Sequence, residues 1–309
     1  MIVFLNPRAS YGRAAAKWKR VRPELERRVG RFEVVEIGAP DAVSAAVSAA
    51  AARGERVFVA AGGDGTVNLV ANAVLGATDM PGERLRLGAV GLGSSNDFHK
   101  PFRRDAFIRG VPARVDCGRT EARDVLRVDL AGADGRRAPR HAVNNASIGV
   151  AAEANASFND PTPFVRAVRR VSVDAAIVAS VMRTLARRRD IQCRIAVDGS
   201  DAGSFRVSSL GFVKNPHFAG AFCYDTPVAP DDGRMSVHLC EGLTRLEVLT
   251  TLAALSRRRF AGRPKTRTWV GRRALVEADV DFALEMDGEV VYARRVEFSV
   301  VPRALLVCR

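Results

Sequence analysis

The chain has 309 residues, of which 47% are hydrophobic and 27% are charged, and its formal net charge is +14 at pH 7. These proportions are typical of a soluble globular protein, and the length allows two hydrophobic cores of ordinary size. A membrane-spanning helix is excluded, because the sequence has no run of about 18 uncharged apolar residues. The positive charge indicates an anionic partner, for which nucleic acid and acidic lipid headgroups are the two obvious candidates.

Five cysteines are scattered along the chain without a Cys-x-x-Cys pair, and no paired histidines accompany them. We therefore expect neither a zinc site nor a disulfide framework, and a reducing cytosol fits this pattern. The first seven residues lack the basic lead of a secretion signal, so they predict a first strand. Both observations favour a cytoplasmic protein. The cysteines are Cys117, Cys193, Cys223, Cys240 and Cys308.

The first third of the chain alternates strand and helix patterns. Strands are predicted over residues 2–5, 32–37, 56–61 and 86–91, and helices over 14–29, 41–53 and 67–75. This order predicts a doubly wound α/β domain with a mainly parallel sheet and helices on both faces. Ligands of such sheets bind beyond the carboxyl ends of the strands, where the loops at Asn6, Gly62 and Gly91 would all lie.

From about residue 123 the pattern changes to short alternating runs of apolar and polar residues. Turn signals such as Asp198-Gly199 and Asp232-Gly233 separate the runs, which predicts an antiparallel β domain. Two helical stretches, 163–189 and 244–260, interrupt it. We therefore predict two domains, 1–122 and 123–299. The predicted strands cover 125–130, 141–148, 192–197, 204–213, 235–239, 267–277, 282–286, 296–300 and 304–307.

The most informative segment runs from Val59 to Asn68, where three glycines within four positions follow a predicted buried strand and precede a helix. Glycine lets the backbone approach a ligand closely, and the N–H groups and dipole of a helix start favour an anion. Asp64 would repel a phosphate there unless a divalent cation lay between them. The segment therefore suggests a site for phosphate and Mg²⁺, although an ordinary glycine-rich strand–helix turn would show the same spacing.

Three further segments carry polar residues at predicted turns. The loop 91–98 offers hydroxyls and an amide beside an acid, which can bind phosphate oxygens or form an ordinary polar turn. Acids flank tight turns at 231–233 and 285–289, where Asp-Gly is also a common hairpin turn. Around Gly288, repulsion between Asp287 and Glu289 can raise one pKa and create a general base.

Taken in order, these segments resemble the bacterial diacylglycerol kinase-type lipid kinases, which are relatives of sphingosine and ceramide kinases. The resemblance covers nearly the whole chain. The first segment alone is shared with NAD kinases, but Asn-Asp-Phe and the late Asp-Gly-Glu favour the lipid kinase branch. The matching segments are Gly-Gly-Asp-Gly-Thr-Val-Asn (62–68), Gly-Ser-Ser-Asn-Asp-Phe (93–98), Asn-Asn-Ala-Ser-Ile-Gly (144–149), Asp-Asp-Gly (231–233) and Asp-Gly-Glu (287–289).

The resemblance implies an α/β domain and a C-terminal β-sandwich with ATP in the cleft between them, and a last strand, about 300–309, that returns to the first domain. Asp64 would act on the catalytic Mg²⁺. Glu289 would accept the proton of the lipid hydroxyl, with Asp287 beside it. A structural Mg²⁺ would be held by the Asp232 carboxylate and the carbonyl groups of Ala229 and Arg234. The residues expected to bind ATP are Asn6, Gly62, Gly63, Asp64, Gly65, Thr66, Val67, Asn68, Ser94, Asn96 and Asp97.

The implied activity is transfer of the γ-phosphate of ATP, with Mg²⁺, to a hydroxyl of diacylglycerol or a similar lipid. Arginine clusters within 166–170, 187–189, 257–259 and 263–267 lie beside apolar helical residues. They suit peripheral contact with an anionic membrane, and a solvated face is the alternative. No nucleic-acid partner is expected, since only 6% of residues are aromatic and no recognition motif accompanies the clusters. A homodimer is left open.

Two other functions stay open. An NAD kinase-like phosphotransferase with a soluble acceptor would not need a basic apolar face. A non-catalytic lipid-binding relative is the second alternative. Leu69 favours it, because the family usually has a glutamate at the position after Gly-Gly-Asp-Gly-Thr-x-Asn. The first loop, residues 6–12, is also longer than the family pattern.

Overall fold

The computed structural model describes residues 1–77, 84–101, 106–130, 139–159, 167–168, 179–180, 182–186 and 190–309. Its first domain alternates strands with helices. The elements are β1 (Ile2–Leu5), α1 (Arg13–Val29), β2 (Glu33–Glu36), α2 (Pro40–Ala52), β3 (Val57–Gly62), α3 (Asp64–Gly76) and β4 (Arg86–Gly91), with short 3₁₀ turns at Ala9–Gly12 and Asp97–His99.

The four strands form a parallel sheet in the order β2-β1-β3-β4. Side chains alternate across a strand, so β1 sends Phe4 into a core formed with α2 and α3, and Val3 into a second core formed with Trp18 of α1. Burial on both faces is what a doubly wound α/β domain requires, and that prediction is confirmed. A hairpin of β5 (Ala106–Ile108) and β6 (Val111–Arg114), not predicted from the sequence, adds to β4 in antiparallel fashion.

The second domain is mainly antiparallel, and its strands share one core in which Phe212 and Phe298 stack. The predicted β-sandwich with inserted helices is confirmed. Its elements are β7 (Thr120–Leu130), β8 (Arg140–Ala142), β9 (Asn145–Gly149), α4 (Val150–Asn159), β10 (Ile191–Val197), β11 (Ser200–Val213), β12 (His217–Phe218), β13 (Phe222–Cys223), β14 (Met235–Glu241), α5 (Arg245–Ser256), β15 (Thr266–Gly271), β16 (Arg273–Met286) and β17 (Glu289–Cys308).

The longest strand, β17, belongs to both domains. Its first part pairs with β16 in the sandwich, and its last part, at Leu306 and Val307, pairs in parallel with Arg86 and Leu87 of β4. A register shift in the pairing with β7, between Val301 and Leu305, marks the change of domain. The sheet is therefore continuous from one domain to the other, and this continuity fixes the cleft between them.

Several element boundaries differ from the predictions. The predicted strand 141–148 is two strands, β8 and β9, because the chain turns at residues 143–144. The predicted strands over 267–277 and 282–286 become β15 and one long β16 that is irregular between Glu277 and Phe282. Most of the predicted helix 163–189, with its arginine clusters, lies outside the described residues. Within the described part, no helix is long and apolar enough to cross a membrane.

Cys117 and Cys308 form a disulfide. The sequence predicted no disulfide framework, and for Cys117 and Cys308 that prediction is wrong. The two cysteines are 191 residues apart, and the pairing of β7 with β17, which includes Thr120 opposite Cys308, brings them together. Sequence spacing could not show such a pair, because it depends on where the last strand returns.

We expect reduction of this disulfide to lower the melting temperature. A cross-link that closes so long a loop restricts the unfolded chain and typically contributes about 2–4 kcal/mol. Thermal unfolding with and without dithiothreitol measures the effect, and the variant Cys117→Ala should melt lower than the wild type and no longer respond to the reductant. If the melting temperature of the wild type did not change with dithiothreitol, the disulfide would not contribute to stability as expected.

Candidate active site

The carboxyl ends of β1, β3 and β4 bring three loops together. After β1, the Asn6 side-chain amide donates to Thr66 Oγ1 over 3.1 Å. After β4, the N–H of Leu92 donates to the Gly62 carbonyl oxygen over 2.8 Å. Direct hydrogen bonds thus hold the three loops against one another at the ligand-binding edge of the parallel sheet.

Two glycines at this edge are required by close approach. A Cβ on Gly93 would lie 2.5 Å from the Gly63 Cα, and a Cβ on Gly62 would lie 2.3 Å from Thr66 Oγ1. Any side chain would push the loops apart. The α3 helix begins at Asp64, directly after Gly62 and Gly63 and earlier than the predicted Val67, so its positive dipole end faces the same space.

Asp64 ties the first glycine loop to the second. Its Oδ1 accepts the N–H of Phe98 over 2.8 Å. Burial, followed by the charge of Asp97, raises the pKa of Asp64. The buried Asp97 carboxylate accepts Lys100 Nζ at 2.5 Å and the Gly220 N–H at 3.0 Å. Two neighbouring carboxyl groups therefore lie beside the glycine loops, and the ammonium group of Lys100 is paired with one of them.

The turn between β16 and β17 places Asp287 beside the first glycine loop. The Asp287 carbonyl oxygen is 3.7 Å from the position of a Cβ on Gly65. Its carboxylate accepts the N–H groups of Val143, Asn144 and Asn145, where the chain passes from β8 to β9. Burial, only partly offset by these hydrogen bonds, raises the pKa of Asp287 to about 7. The backbone of Asp287 therefore lies against the first glycine loop of the α/β domain, while its carboxylate is held by the segment between β8 and β9.

The two glutamates of the same turn differ in burial. Glu285 lines the cavity between the two domains, which is described below, and accepts the N–H of Gly288 over 2.7 Å. Burial raises the pKa of its carboxyl group. The side chain of Glu289 is 55% exposed and pairs with Arg140 at 3.1 Å. Glu289 does not line the cavity. Its role as proton acceptor stays a prediction, and this placement does not favour it.

Asparagine side chains connect the sandwich to the second glycine loop. The Asn215 amide donates to Asn144 Oδ1 over 2.9 Å and to the Asp97 carbonyl oxygen over 2.8 Å. Asn145 Oδ1 in turn accepts the N–H groups of Lys214 and Asn215. Because Asn144 and Asn145 also bind Asp287, one hydrogen-bonded network spans the cleft.

A single cavity of about 520 Å³ opens from this network and has two chemically different ends. The polar end contains the glycine loops, Asp64, Asp97 and Asp287. The apolar end lies between α4, α5 and the short strands β12 and β13. This volume is in the range of a small-molecule site. The apolar lining includes Val150, Phe158, Phe218, Leu243, Val248 and Leu255.

The predicted ATP-binding residues divide into two groups. Seven of them line the cavity: Asn6, Gly63, Asp64, Gly65, Thr66, Ser94 and Asp97. The other four support its walls: Gly62 packs on Thr66, Val67 belongs to the α/β core, Asn68 accepts from Asn72, and Asn96 donates to the Gly93 carbonyl oxygen. Leu69 packs against the same core as Val67 and does not line the cavity.

The predicted structural Mg²⁺ site does not fit the structure. Its three expected ligands converge on Lys214, whose Nζ lies 2.8 Å from the Ala229 carbonyl oxygen, 3.1 Å from Asp232 Oδ1 and 2.6 Å from the Arg234 carbonyl oxygen. An ammonium group therefore occupies the point where the metal ion was expected. Among the described residues no cluster of three or more histidine, cysteine or acidic side chains could hold a metal ion either.

Sequence reasoning missed several of these residues. Lys17 of α1 donates to the carbonyl oxygens of Leu92 and Gly93 over 3.2 and 3.0 Å, yet it is one of many basic residues on its helix. Lys214 and Asn215 follow a predicted strand without any motif. Asn144 and Asn145 lie in the segment 144–149, which resembles the lipid kinase family. The signal that could have identified them is a pair of adjacent asparagines at the point where a predicted strand is interrupted.

Comparisons with known proteins bear on the family and the fold of this chain. Residues 1–128 match the model of the family "Diacylglycerol kinase catalytic domain", and residues 144–309 match "YegS C-terminal NAD kinase beta sandwich-like domain". The protein named "Probable lipid kinase YegS-like" in two strains of Xanthomonas oryzae pv. oryzae is 29% identical over 267 residues, which cover 84% of this chain and 80% of that protein.

Solved structures show the same fold. A crystal structure of a diacylglycerol kinase from Bacillus anthracis str. Sterne superposes with a TM-score of 0.67 at 13% identity, covering 99% of this chain and 95% of that one. A second crystal structure from the same strain gives a TM-score of 0.72 at 14% identity and covers 99% and 96% of the two chains.

The matched family models and the named relative identify a two-domain kinase, in which an α/β domain and a β-sandwich enclose the cavity described above. Since the two family models cover most of the chain, this protein belongs to the diacylglycerol kinase family that includes the YegS-like proteins. The resemblance drawn from the sequence motifs is confirmed, and so is the prediction of a kinase.

The close approach of the glycine loops gives a testable expectation. Gly93→Ala should lower stability by about 1–3 kcal/mol through overpacking and should weaken nucleotide binding, because the added methyl group meets the Gly63 backbone. Gly76→Ala is a matched control, since a Cβ there meets nothing within 4 Å. Denaturant unfolding and calorimetric titration with ATP measure both effects, and a Gly93→Ala variant that binds ATP like the control would contradict the role of this contact.

Proposed function

We propose that this kinase transfers the γ-phosphate of ATP to a hydroxyl group of a lipid with one or two acyl chains, such as diacylglycerol. The observation that carries the proposal is the single cavity whose polar end holds the glycine loops and whose apolar end lies under α4 and α5. A hydrocarbon chain in the apolar end would direct its polar head toward the glycine loops.

ATP would enter with Mg²⁺ as its complex, and the chain would mainly position it and neutralise charge, as phosphoryl transfer requires. The α3 dipole and the glycine backbone favour the phosphate groups. Asp64 and Asp97 are the acids that would hold the cation of the nucleotide. The Lys17 ammonium donates to two carbonyl oxygens of the second glycine loop, which would keep that loop in place when the phosphates bind.

Asp287 is the better-placed proton acceptor for the lipid hydroxyl. It lines the cavity beside Gly65, where the transferred phosphate would lie, whereas Glu289 is exposed and paired with Arg140. Three backbone N–H groups hold the carboxylate through four contacts, two on each oxygen. Its pKa of about 7 would let it exchange a proton with the hydroxyl near neutral pH.

A soluble acceptor such as NAD does not explain the apolar end of the cavity. Leu69, which suggested a non-catalytic relative, packs against the core of the α/β domain and does not line the cavity. A leucine at this position therefore removes no polar group from the cavity.

The decisive experiment incubates the purified protein with radiolabelled ATP, Mg²⁺ and a panel of acceptors in mixed micelles: diacylglycerol, monoacylglycerol, sphingosine and phosphatidylglycerol, with NAD in solution. We expect the label in a lipid product. Label in NAD, or in none of the lipids while the protein binds ATP, would contradict the proposal.

The assignment of Asp287 predicts a specific pH dependence. Its carboxyl pKa is raised to about 7, so turnover should fall as the pH drops through 7 and the base becomes protonated. Asp287→Asn should reduce turnover by about 10²–10⁴-fold and abolish this limb of the profile. Glu289→Gln is the matched control and should keep most of the turnover. The reverse ranking of the two variants, with ATP binding intact in both, would return the role to Glu289.

Peripheral contact with an anionic membrane belongs to the same proposal. Helix α5 lines the apolar cavity with Val248 and Leu255, while Leu246 is 70% exposed and Leu249 is 37% exposed. The exposed residues Arg257–Arg259 follow the helix. Basic charges near acidic lipid contribute about 1 kcal/mol each. Apolar and basic groups thus lie together on the helix that covers the cavity, which suits delivery of a lipid from a membrane surface.

Replacing both exposed leucines tests this contact. The double variant Leu246→Glu and Leu249→Glu should lose sedimentation with vesicles of phosphatidylglycerol and phosphatidylcholine, and should lose activity on vesicle-borne lipid while keeping it on a short-chain soluble analogue. Val280→Glu is the control, since Val280 is 57% exposed and belongs to strand β16 rather than to α5. Equal vesicle binding by wild type, control and double variant would contradict α5 as the membrane contact.

A further inference from the structure

A lysine side chain is enclosed where three segments of the chain cross. Lys214 directly follows β11, and its side chain is 1% exposed. Its ammonium group contacts four oxygens: Asp124 Oδ2 at 2.8 Å, Asp232 Oδ1 at 3.1 Å and the carbonyl oxygens of Ala229 and Arg234. An ammonium has three N–H donors, so all of them are used. Burying this charge is tolerated only because carboxylates and carbonyl dipoles surround it.

Asp124, the fully buried partner of Lys214, binds the other two segments. Its Oδ2 also accepts the N–H of Gly233 over 2.8 Å, and its Oδ1 accepts the N–H of Arg303 over 2.8 Å. The Asp124 N–H donates to the Pro230 carbonyl oxygen. The lysine and the aspartate therefore join β7, the turn 229–234 and the irregular part of β17, at the place where β17 leaves the sandwich for the α/β domain.

We propose that Lys214 is a built-in cation that takes the place of a structural metal ion, so that this protein folds and holds its cleft without one. A Mg²⁺ ion demands oxygens at about 2.0–2.1 Å in octahedral geometry and usually keeps several waters. Here the ammonium group of Lys214, which belongs to the chain itself, lies where the oxygens of Ala229, Asp232 and Arg234 converge. This inference goes beyond the lipid kinase proposal, since it concerns which cation the fold requires.

The position of Lys214 connects this cation to the active site. Its own N–H and that of Asn215 donate to Asn145 Oδ1 over 3.2 and 3.1 Å, and the Asn215 side chain reaches Asn144 and the Asp97 carbonyl oxygen. Fixing Lys214 therefore fixes the asparagine network that supports Asp287. The requirement of the enzyme for a divalent cation should then be limited to the nucleotide complex.

The first test uses the wild-type protein without nucleotide. Its melting temperature should be the same in EDTA and in millimolar Mg²⁺ or Ca²⁺, because nothing at the turn 229–234 binds the added ion. A melting temperature that rises and saturates with either metal, or falls in EDTA, would overturn the proposal. This measurement needs no assay of activity, so it stands or falls independently of the lipid kinase proposal.

The second test removes the ammonium. Lys214→Met keeps the apolar stem and leaves two acids without their cation, so its melting temperature should fall by about 5 °C or more. Lys214→Ala leaves space, and since Asp232 is 42% exposed, small cations can reach it. Mg²⁺, Ca²⁺ or methylammonium should therefore raise the melting temperature of Lys214→Ala.

Lys19 is exposed and provides the control variant Lys19→Ala. Its melting temperature should equal that of the wild type and should not change with any of these cations. A Lys214→Met variant as stable as the wild type would show that the charge is not needed. A Lys214→Ala variant that is destabilised but recovers with none of the cations would make Lys214 a packing residue. Either result would overturn the proposal.

Discussion

The structure depends on how strand β17 passes from one domain to the other. For most of its length it is a sandwich strand paired with β16 and β7, and at its end it becomes the neighbour of β4 in the parallel sheet. A strand can change partners in this way only where its pairing is interrupted, and the freed backbone groups must then find other partners. Asp124 supplies one, because it accepts the N–H of Arg303 within the interruption. The relative position of the two halves of the cleft follows from this crossing.

Chemistry at the cleft follows from the same requirement for satisfied backbone groups. Between β8 and β9 the chain leaves the ladder, and three consecutive N–H groups turn toward Asp287. Its carboxyl group is therefore held in a buried position, which raises its pKa to about 7. A residue that stabilises an irregular segment is thereby also suited to exchange a proton near neutral pH.

Much of the fold could be predicted from the sequence, because the α/β domain has local signals. The strand at 56–61, the three glycines and the helix that follows lie close together in sequence, and the close approach of Gly63 and Gly93 is a contact that only glycine allows. The contacts that could not be predicted join residues far apart in sequence. Cys117 meets Cys308 through the return of β17, and Lys214 meets Asp124 across 90 positions. A lysine after a strand carries no local sign of the carboxylate that it will reach.

The Asp-Asp-Gly turn illustrates what a sequence motif can and cannot predict. The Asp-Asp-Gly turn does gather oxygens around one point, as the resemblance implied, and the carbonyl groups of Ala229 and Arg234 face that point. What a motif cannot state is the identity of the cation, because any group of suitable charge and size can occupy a cage of oxygens. A lysine at the end of β11 does so here, at the cost of the rotamer freedom of its own side chain. The same backbone arrangement can therefore be kept while the cation becomes part of the chain, and the turn alone is insufficient grounds for assigning a metal ion to this protein.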